Sequence, residues 1–529
     1  MNGEHQTRRA PPDAGATSPG PAGLGPRSVV SVGFCGAVYN GLPPFHPSRK
    51  YPESAFNEVS PVPNEPYDLL RRLLADLGWD SAHFGTASWN PLQRIIQPGQ
   101  TVVIKPNLVN NVNRGAGDVF AVITHPSIVR AAVDYAFLAL GGKGAIVIAD
   151  APIRDCQWAE LMKATQLRSV QEFYRSRFGF DLRVVDLRDY ELIDPNALPL
   201  LRNRRNLPGD PQGSLIVNLG RRSHFYGIDP QRFYGAAFDR RETIRHHQAD
   251  IQEYSVSRSV LAANVLISIP KLKTHCKVGV TLNLKGLVGI NTNKNFLVHH
   301  RRGCPSSGGD QYPEPEGRFT KLRLGVFARL ADRALDRRGP LPAMYAAARA
   351  IYRHTIKPLL GAADPRLAAQ DGGGWSGNDS AWRMVADLAK IIYFADARGN
   401  LTLSPQRRFL GIVDGIIGGE REGPLAPTAK PCGCLVCGED LIATDLVAVR
   451  LMGYDARALR QFSVACDSTW SFPVRGQQDI GVKYGHSDVP SAAFFGPAFS
   501  VPFLFEPSVG WRGCVELSRS AASRLQSGS

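Results

Sequence analysis

Four stretches of this chain are apolar at consecutive positions rather than alternate ones: "TVVIKPN" (101–107), "GAIVIAD" (144–150), "NVLISIP" (264–270) and "FLGIVDG" (409–415). A strand with one wet face alternates apolar and polar residues. A strand that is apolar on both sides must be covered on both, and the usual way to do that is a parallel sheet with helices above and below. "SVVSVGF" (28–34) and "LRVVDL" (182–187) add two shorter strands. Between the strands lie segments of helical period: 66–78, 125–140, 380–396 and 440–453. Pro126 falls in the first turn of its helix, with Thr124 or His125 as cap, and Asp440 precedes "LIATDLV" as an N-cap. The pattern predicts an α/β fold, a mainly parallel sheet covered by helices on both faces.

With 529 residues, several units are accommodated. Residues 1–26, rich in Pro, Gly and Ala, read as a disordered tail; the pair Arg8 and Arg9 is followed by no apolar segment of a signal peptide. The core is expected over 27–304 and again over 381–455, interrupted by a helical and loop insertion at 305–380 and followed by a C-terminal segment, 456–529. Within 318–357 ten Lys/Arg stand against two acidic residues, so the insertion carries much of the net charge of +15. Two readings of it stand: a basic solvent face over an ordinary core contact, and amphipathic helices docking on an acidic membrane surface. No apolar run is long enough to span a bilayer. The expected location is cytoplasmic, with peripheral contact at the inner membrane face under the second reading. Nucleic acid is not an expected partner, since no recognition motif accompanies the charge.

Ligands of open parallel sheets bind beyond the carboxyl ends of the strands. Here those ends carry Lys105 and Asn107, Asp150, Lys271, and Asp414 with Glu420 shortly after. In "PKLKTHCKVGVTLNLKGLVGI" (270–290), Lys271, Lys273, His275 and Lys277 fall on alternate residues. Kept extended, the segment presents them on one face, a row suited to a ligand with several anionic oxygens. A solvated edge strand protected by lysines is the competing reading. Lys285, in an apolar run, needs a partner such as Asp150 or Asp414, or a bound anion; desolvated, it would serve as base or nucleophile. In "NTNKNFLVHHRRGCPSSGGDQYP" (291–313), His299, His300 and Asp310 are candidate divalent-metal ligands and Arg301 a candidate grip for an acidic group, although a glycine-rich substrate loop fits the segment better. Cys432, Cys434 and Cys437 lack the spacing of a cluster-binding run and read as part of a buried strand, so no iron–sulfur cluster is expected.

In their order and spacing, "VVIKPNLV", "THPSIVRAAVDY", "IVIADAP", the 270–290 stretch, "VDGIIGGEREGP" and "GEDLIATDLVAVRLMG" resemble the domain of unknown function family 362. The resemblance covers roughly 100–300 and 380–455. "HHRRGCPSSGGDQYP" is similar to a subgroup carried near polysaccharide-biosynthesis genes. Two motifs depart from the family pattern: G-D-S-P is "ADAP" here, with Asp150 kept, and M-E-G-x-G-P is "GEREGP", with Glu420 kept. The family implies a fold and a site, not a reaction. The residues point to an enzyme for a small or lipid-linked anionic metabolite, an acidic or phosphorylated sugar. Lys105, Asn107, Lys271, Lys273, His275 and Arg301 would bind it. Asp150, Lys285 and Asp414 would do acid–base work of the epimerase kind, with or without a divalent metal. The alternative is a non-catalytic carbohydrate-binding or scaffold protein of a polysaccharide pathway.

Overall fold

The computed structural model describes residues 28–194, 204–237, 239–314 and 372–517. The tail and most of the basic insertion, with its membrane-docking reading, lie outside the described residues.

The strands of the main sheet are, in chain order, β1 (Ser28–Phe34), β2 (Thr101–Pro106), β3 (Ala145–Asp150), β4 (Leu182–Asp186), β5 (Val265–Ile269), β6 (Lys271–His275), β7 (Gly279–Val280), β8 (Arg408–Glu422), β9 (Ala426–Gly438), β10 (Ile480–Tyr484) and β11 (Ser487–Val489). Their spatial order is β11-β10-β1-β9-β8-β5-β2-β3-β4, with β6 continuing along β8 beyond β5 and pairing with β7. From β4 through β8 every neighbour is parallel; β9 runs antiparallel between β8 and β1. The stretch after residue 455 therefore contributes strands β10 and β11 to the same sheet.

The unalternating strands bury both faces, as their composition requires. Val102, Ile104, Ile146, Ile148 and Ile267 pack into one core with α1 (Glu65–Asp76) and α2 (Pro126–Leu140). Their neighbours Val103, Val147 and Leu266 pack into a second core. That core is shared with the later helices: α3 (Leu282–Gly286), α4 (Ala381–Phe394) and α5 (Leu441–Leu451). Two of the expected caps are present: the His125 ring accepts from Ser127 N, and the Asp440 carboxylate accepts from Ala443 N. Cys434 and Cys437, on β9, are buried in opposite cores, one on each side of the sheet. Among the described residues no helix is long and apolar enough to cross a membrane.

Three small antiparallel sheets were not expected from the sequence. One pairs Phe233–Gly235 with Val298–Arg301, and it fixes the segment that carries His299.

Candidate functional site

Where β2, β3 and β6 end, the chain lines a partly open cavity of about 330 Å³. Its floor is the ion pair of Lys105 and Asp150, 2.9 Å apart and almost wholly buried. The other oxygen of Asp150 accepts from Leu108 N at 2.7 Å. Gly289 lies against this pair: a Cβ there would sit 1.8 Å from the Asp150 carboxylate and 2.7 Å from Lys105 Nζ, so no other residue lets the 287–290 turn pass so close. Asn107, six per cent exposed, lines the same cavity, and its Nδ2 has no hydrogen-bond partner among the described residues.

The walls are basic. Lys273, Lys277, Lys285 and Lys294 join Lys105, with Arg114 and Arg154 on the outer side, both bound to Asp155. Most of the amines are held by the protein itself. Lys273 Nζ donates to the carbonyls of Val122 and Pro424, at 2.5 and 3.1 Å. Lys294 Nζ donates to those of Val288 and Asn291, at 2.7 and 3.1 Å, and Lys277 Nζ donates to that of Gly372. Lys285 is the exception: it is buried, yet its amine has no hydrogen-bond or ion-pair partner among the described residues. The partners proposed for it from sequence are taken, Asp150 by Lys105 and Asp414 by Lys271.

Burial without a counter-charge disfavours the charged amine. It brings Lys285 down to about 8, with Cys276 opposing and Lys277 and Lys105 reinforcing. Burial likewise brings Lys294 down to about 7, Asp150 opposing and Lys105 reinforcing. Lys273 is held well below the usual lysine range by burial, then by Lys271 and Lys285.

Two imidazoles complete the lining, and their local bonds set different tautomers. His275 Nδ1 accepts from Lys277 N at 3.0 Å, which leaves the proton on Nε2. His299 Nδ1 lies 3.1 Å from the Leu297 carbonyl and donates to it, which leaves Nε2 as an acceptor. Burial, followed by the charge of Lys285, holds both well below the usual imidazole range, so both are neutral at pH 7.

Lys285 reaches the cavity because α3 is pinned from behind. The Asp445 carboxylate accepts from Asn283 N and Leu284 N, at 2.8 and 2.9 Å. Leu282, at the start of the helix, has a φ of 42°, a left-handed conformation that costs an ordinary residue about 1–2 kcal/mol.

The row expected on β6 is split. Lys273, His275 and Lys277 line the cavity, but Lys271 does not. The register of β6 against β8 shifts between Lys271 and Lys273. Lys271 is instead wholly buried with Asp414, Nζ to Oδ2 2.9 Å, and donates to the Tyr39 hydroxyl at 2.5 Å. Tyr39 donates to the other Asp414 oxygen at 2.6 Å and stacks on His125. Both oxygens of Asp414 and the Tyr39 hydroxyl are engaged, so Lys271 and Asp414 form a structural knot outside the cavity lining. The edge-strand reading also fails, because all five residues of β6 are buried.

The three candidate metal ligands diverge. His299 faces the cavity, and His300 stacks on Tyr234. Asp310 accepts from Arg301 N, Asp379 N and the Ser380 hydroxyl, tying its loop to the start of α4. Among the described residues no three His, Cys, Asp or Glu side chains gather as a metal site. Arg301 bonds Asp379 at 2.8 Å and is not part of the lining. Lys294, Arg114 and Arg154 were missed in the sequence. The loops that carry them have no period to read, though the glycine-rich "NRGAG" was a signal for Arg114.

A family comparison matches part of the chain. Residues 224–450 match the family described as Domain of unknown function (DUF362). The matched span supplies β5, β6 and β8 and the residues from Lys273 to His299, whereas Lys105 and Asp150 lie before it. No curated protein and no solved structure matches the chain.

Proposed function

We propose that this protein is an enzyme that moves a proton at a carbon next to the carboxylate or carbonyl group of a small anionic metabolite. An acidic or phosphorylated sugar, free or lipid-linked, is the substrate class we favour. The observation that carries the reading is the Lys285 amine, without a partner among the described residues, in a basic cavity also lined by an Asn107 amide whose Nδ2 lacks a partner among them. Burying a cation and an amide donor without acceptors is costly, and an anion with several oxygens supplies what both lack. The cavity volume of about 330 Å³ is at the small end of metabolite pockets, roughly 300–1,000 Å³.

The roles follow from the surroundings. Lys105, Lys273 and Asn107 would hold the anionic group, and the Nε2–H of His275 would polarise its carbonyl. Lys285 in its uncharged form and His299 through Nε2 would be the bases. Asp150 orients Lys105 and is engaged by it. Lys271 and Asp414, expected at the site from sequence, instead pair with each other and with Tyr39 inside the sheet.

The test is to incubate the protein in D₂O with a panel of uronic acids and sugar phosphates and to follow deuterium uptake at carbon by NMR. Uptake with one substrate class, lost in His299→Gln, supports the reading. Tight binding of a panel member with no uptake would make the protein a carrier. Neither binding nor uptake by any member would reject both substrate class and reaction.

A further inference from the structure

Five amines line the cavity, and four of them are held by protein acceptors: Lys105 by Asp150, Lys273, Lys277 and Lys294 by backbone carbonyls. Lys285 is the amine with nothing in the described protein to hold it back from a ligand. A desolvated lysine beside other cations gives up its proton more readily than an exposed one, and the uncharged form is the one that attacks carbon. The two imidazoles flanking it differ in the way that carbonyl addition needs: His275 offers an N–H, and His299 offers a lone pair.

We infer that Lys285 is a covalent nucleophile that forms an imine with a carbonyl-bearing carboxylate or phosphate ester. The inference rests on the proton-transfer reading and deepens it. The uncharged Nζ adds to the carbonyl carbon as the C=O π pair moves to oxygen, where the Nε2–H of His275 stabilises it. His299 Nε2 carries the two amine protons in turn from nitrogen to that oxygen. The C–O bond breaks, water leaves, and the nitrogen lone pair closes the C=N bond. Both amine protons end in the water, so no oxidant or further reactant is needed. Protonation of the imine from solvent then acidifies the neighbouring C–H, the bond that the proposed reaction opens.

Glyoxylate with borohydride tests it on the full-length protein. Reduction of the imine leaves one carboxymethyl group on the lysine, found by intact mass and placed by peptide mapping. At pH 7 an amine at about 8 is uncharged about 300-fold more often than an ordinary lysine, and unlike Lys294 it is not held by backbone carbonyls, so Lys285 should be labelled first at limiting glyoxylate. Lys285→Met should remove that label while circular dichroism shows the protein folded, and His299→Gln should slow its appearance. Labelling spread evenly over surface lysines, with Lys285 unmodified, overturns the inference. So does Lys285-dependent deuterium uptake from D₂O without trapping of the true substrate, which would leave the proton-transfer reading standing. Specific labelling of Lys285 without any deuterium uptake would do the reverse.

Discussion

Replacing Lys285 by methionine should stabilise the unliganded protein, although it removes a buried polar residue. The amine has no acceptor to lose, and methionine fills nearly the same volume. Moving a lysine from its usual 10.5 to about 8 costs roughly 3 kcal/mol at about 1.4 kcal/mol per unit. The sign follows from proton binding. Between pH 8 and 10.5 the unfolded chain keeps the proton that the folded protein has lost, so wild-type stability rises with pH across that window. Below pH 8 both states are protonated and the folded protein carries the full penalty. The advantage of Lys285→Met should therefore be about 3 kcal/mol at pH 7 and shrink to about 1 kcal/mol by pH 10.

Urea unfolding at several pH values measures this, in buffers free of phosphate, sulfate and other multivalent anions that would occupy the cavity. The slope with urea should be unchanged between the two proteins, so that the midpoint shift reports stability alone. A methionine variant destabilised at pH 7 would mean that Lys285 neutralises a buried carboxylate, whose orphaning costs about 3–5 kcal/mol. A gain that does not vary with pH would mean that the effect is packing and not charge. Either result refutes the reasoning on which the site rests.

Two further substitutions probe how the site is held. Gly289→Ala should keep the sheet but push Asp150 off Lys105, since the new Cβ would fall 1.8 Å from the carboxylate; ligand binding by calorimetry should weaken at least tenfold, and unchanged affinity would remove the pair from the site. Asp445→Asn should leave one buried N–H of α3 without its acceptor, costing about 1–3 kcal/mol, and should lower the glyoxylate labelling of Lys285 beyond what the stability loss explains; labelling at the wild-type rate would show that α3 needs no such support.

The sheet was legible because its strands are apolar at successive positions, and burial on both faces admits few other architectures. Lys105, Asp150, Lys273 and His275 were legible for a related reason: the strands end where the polar residues begin, and parallel strands end together. The pairing among those ends was not legible. Alternation alone puts Lys271 with Lys273, and only the register shift on β6 and a tyrosine more than two hundred residues earlier, Tyr39, draw Lys271 away to Asp414. Lys285 was singled out correctly as a buried lysine in an apolar run, but the sequence could not show that both candidate carboxylates were already engaged. Lys294, and the facing of His299 into the cavity, depend on a small sheet between segments some 60 residues apart. Neither periodicity nor turn chemistry announces such a pairing.

The crowding of Lys105, Arg114, Arg154, Lys273, Lys277, Lys285 and Lys294 around only Asp150 and Asp155 has a consequence for how the cavity lives in solution. Low-dielectric walls around an excess of one charge focus the field and concentrate counter-ions. At physiological ionic strength such a hollow would draw in inorganic anions such as phosphate. Under the proposed function a substrate would then arrive as a competitor, exchanging with an ion already in place, so that its apparent affinity would depend on the surrounding phosphate as well as on its own contacts. The same exchange would help a product to leave.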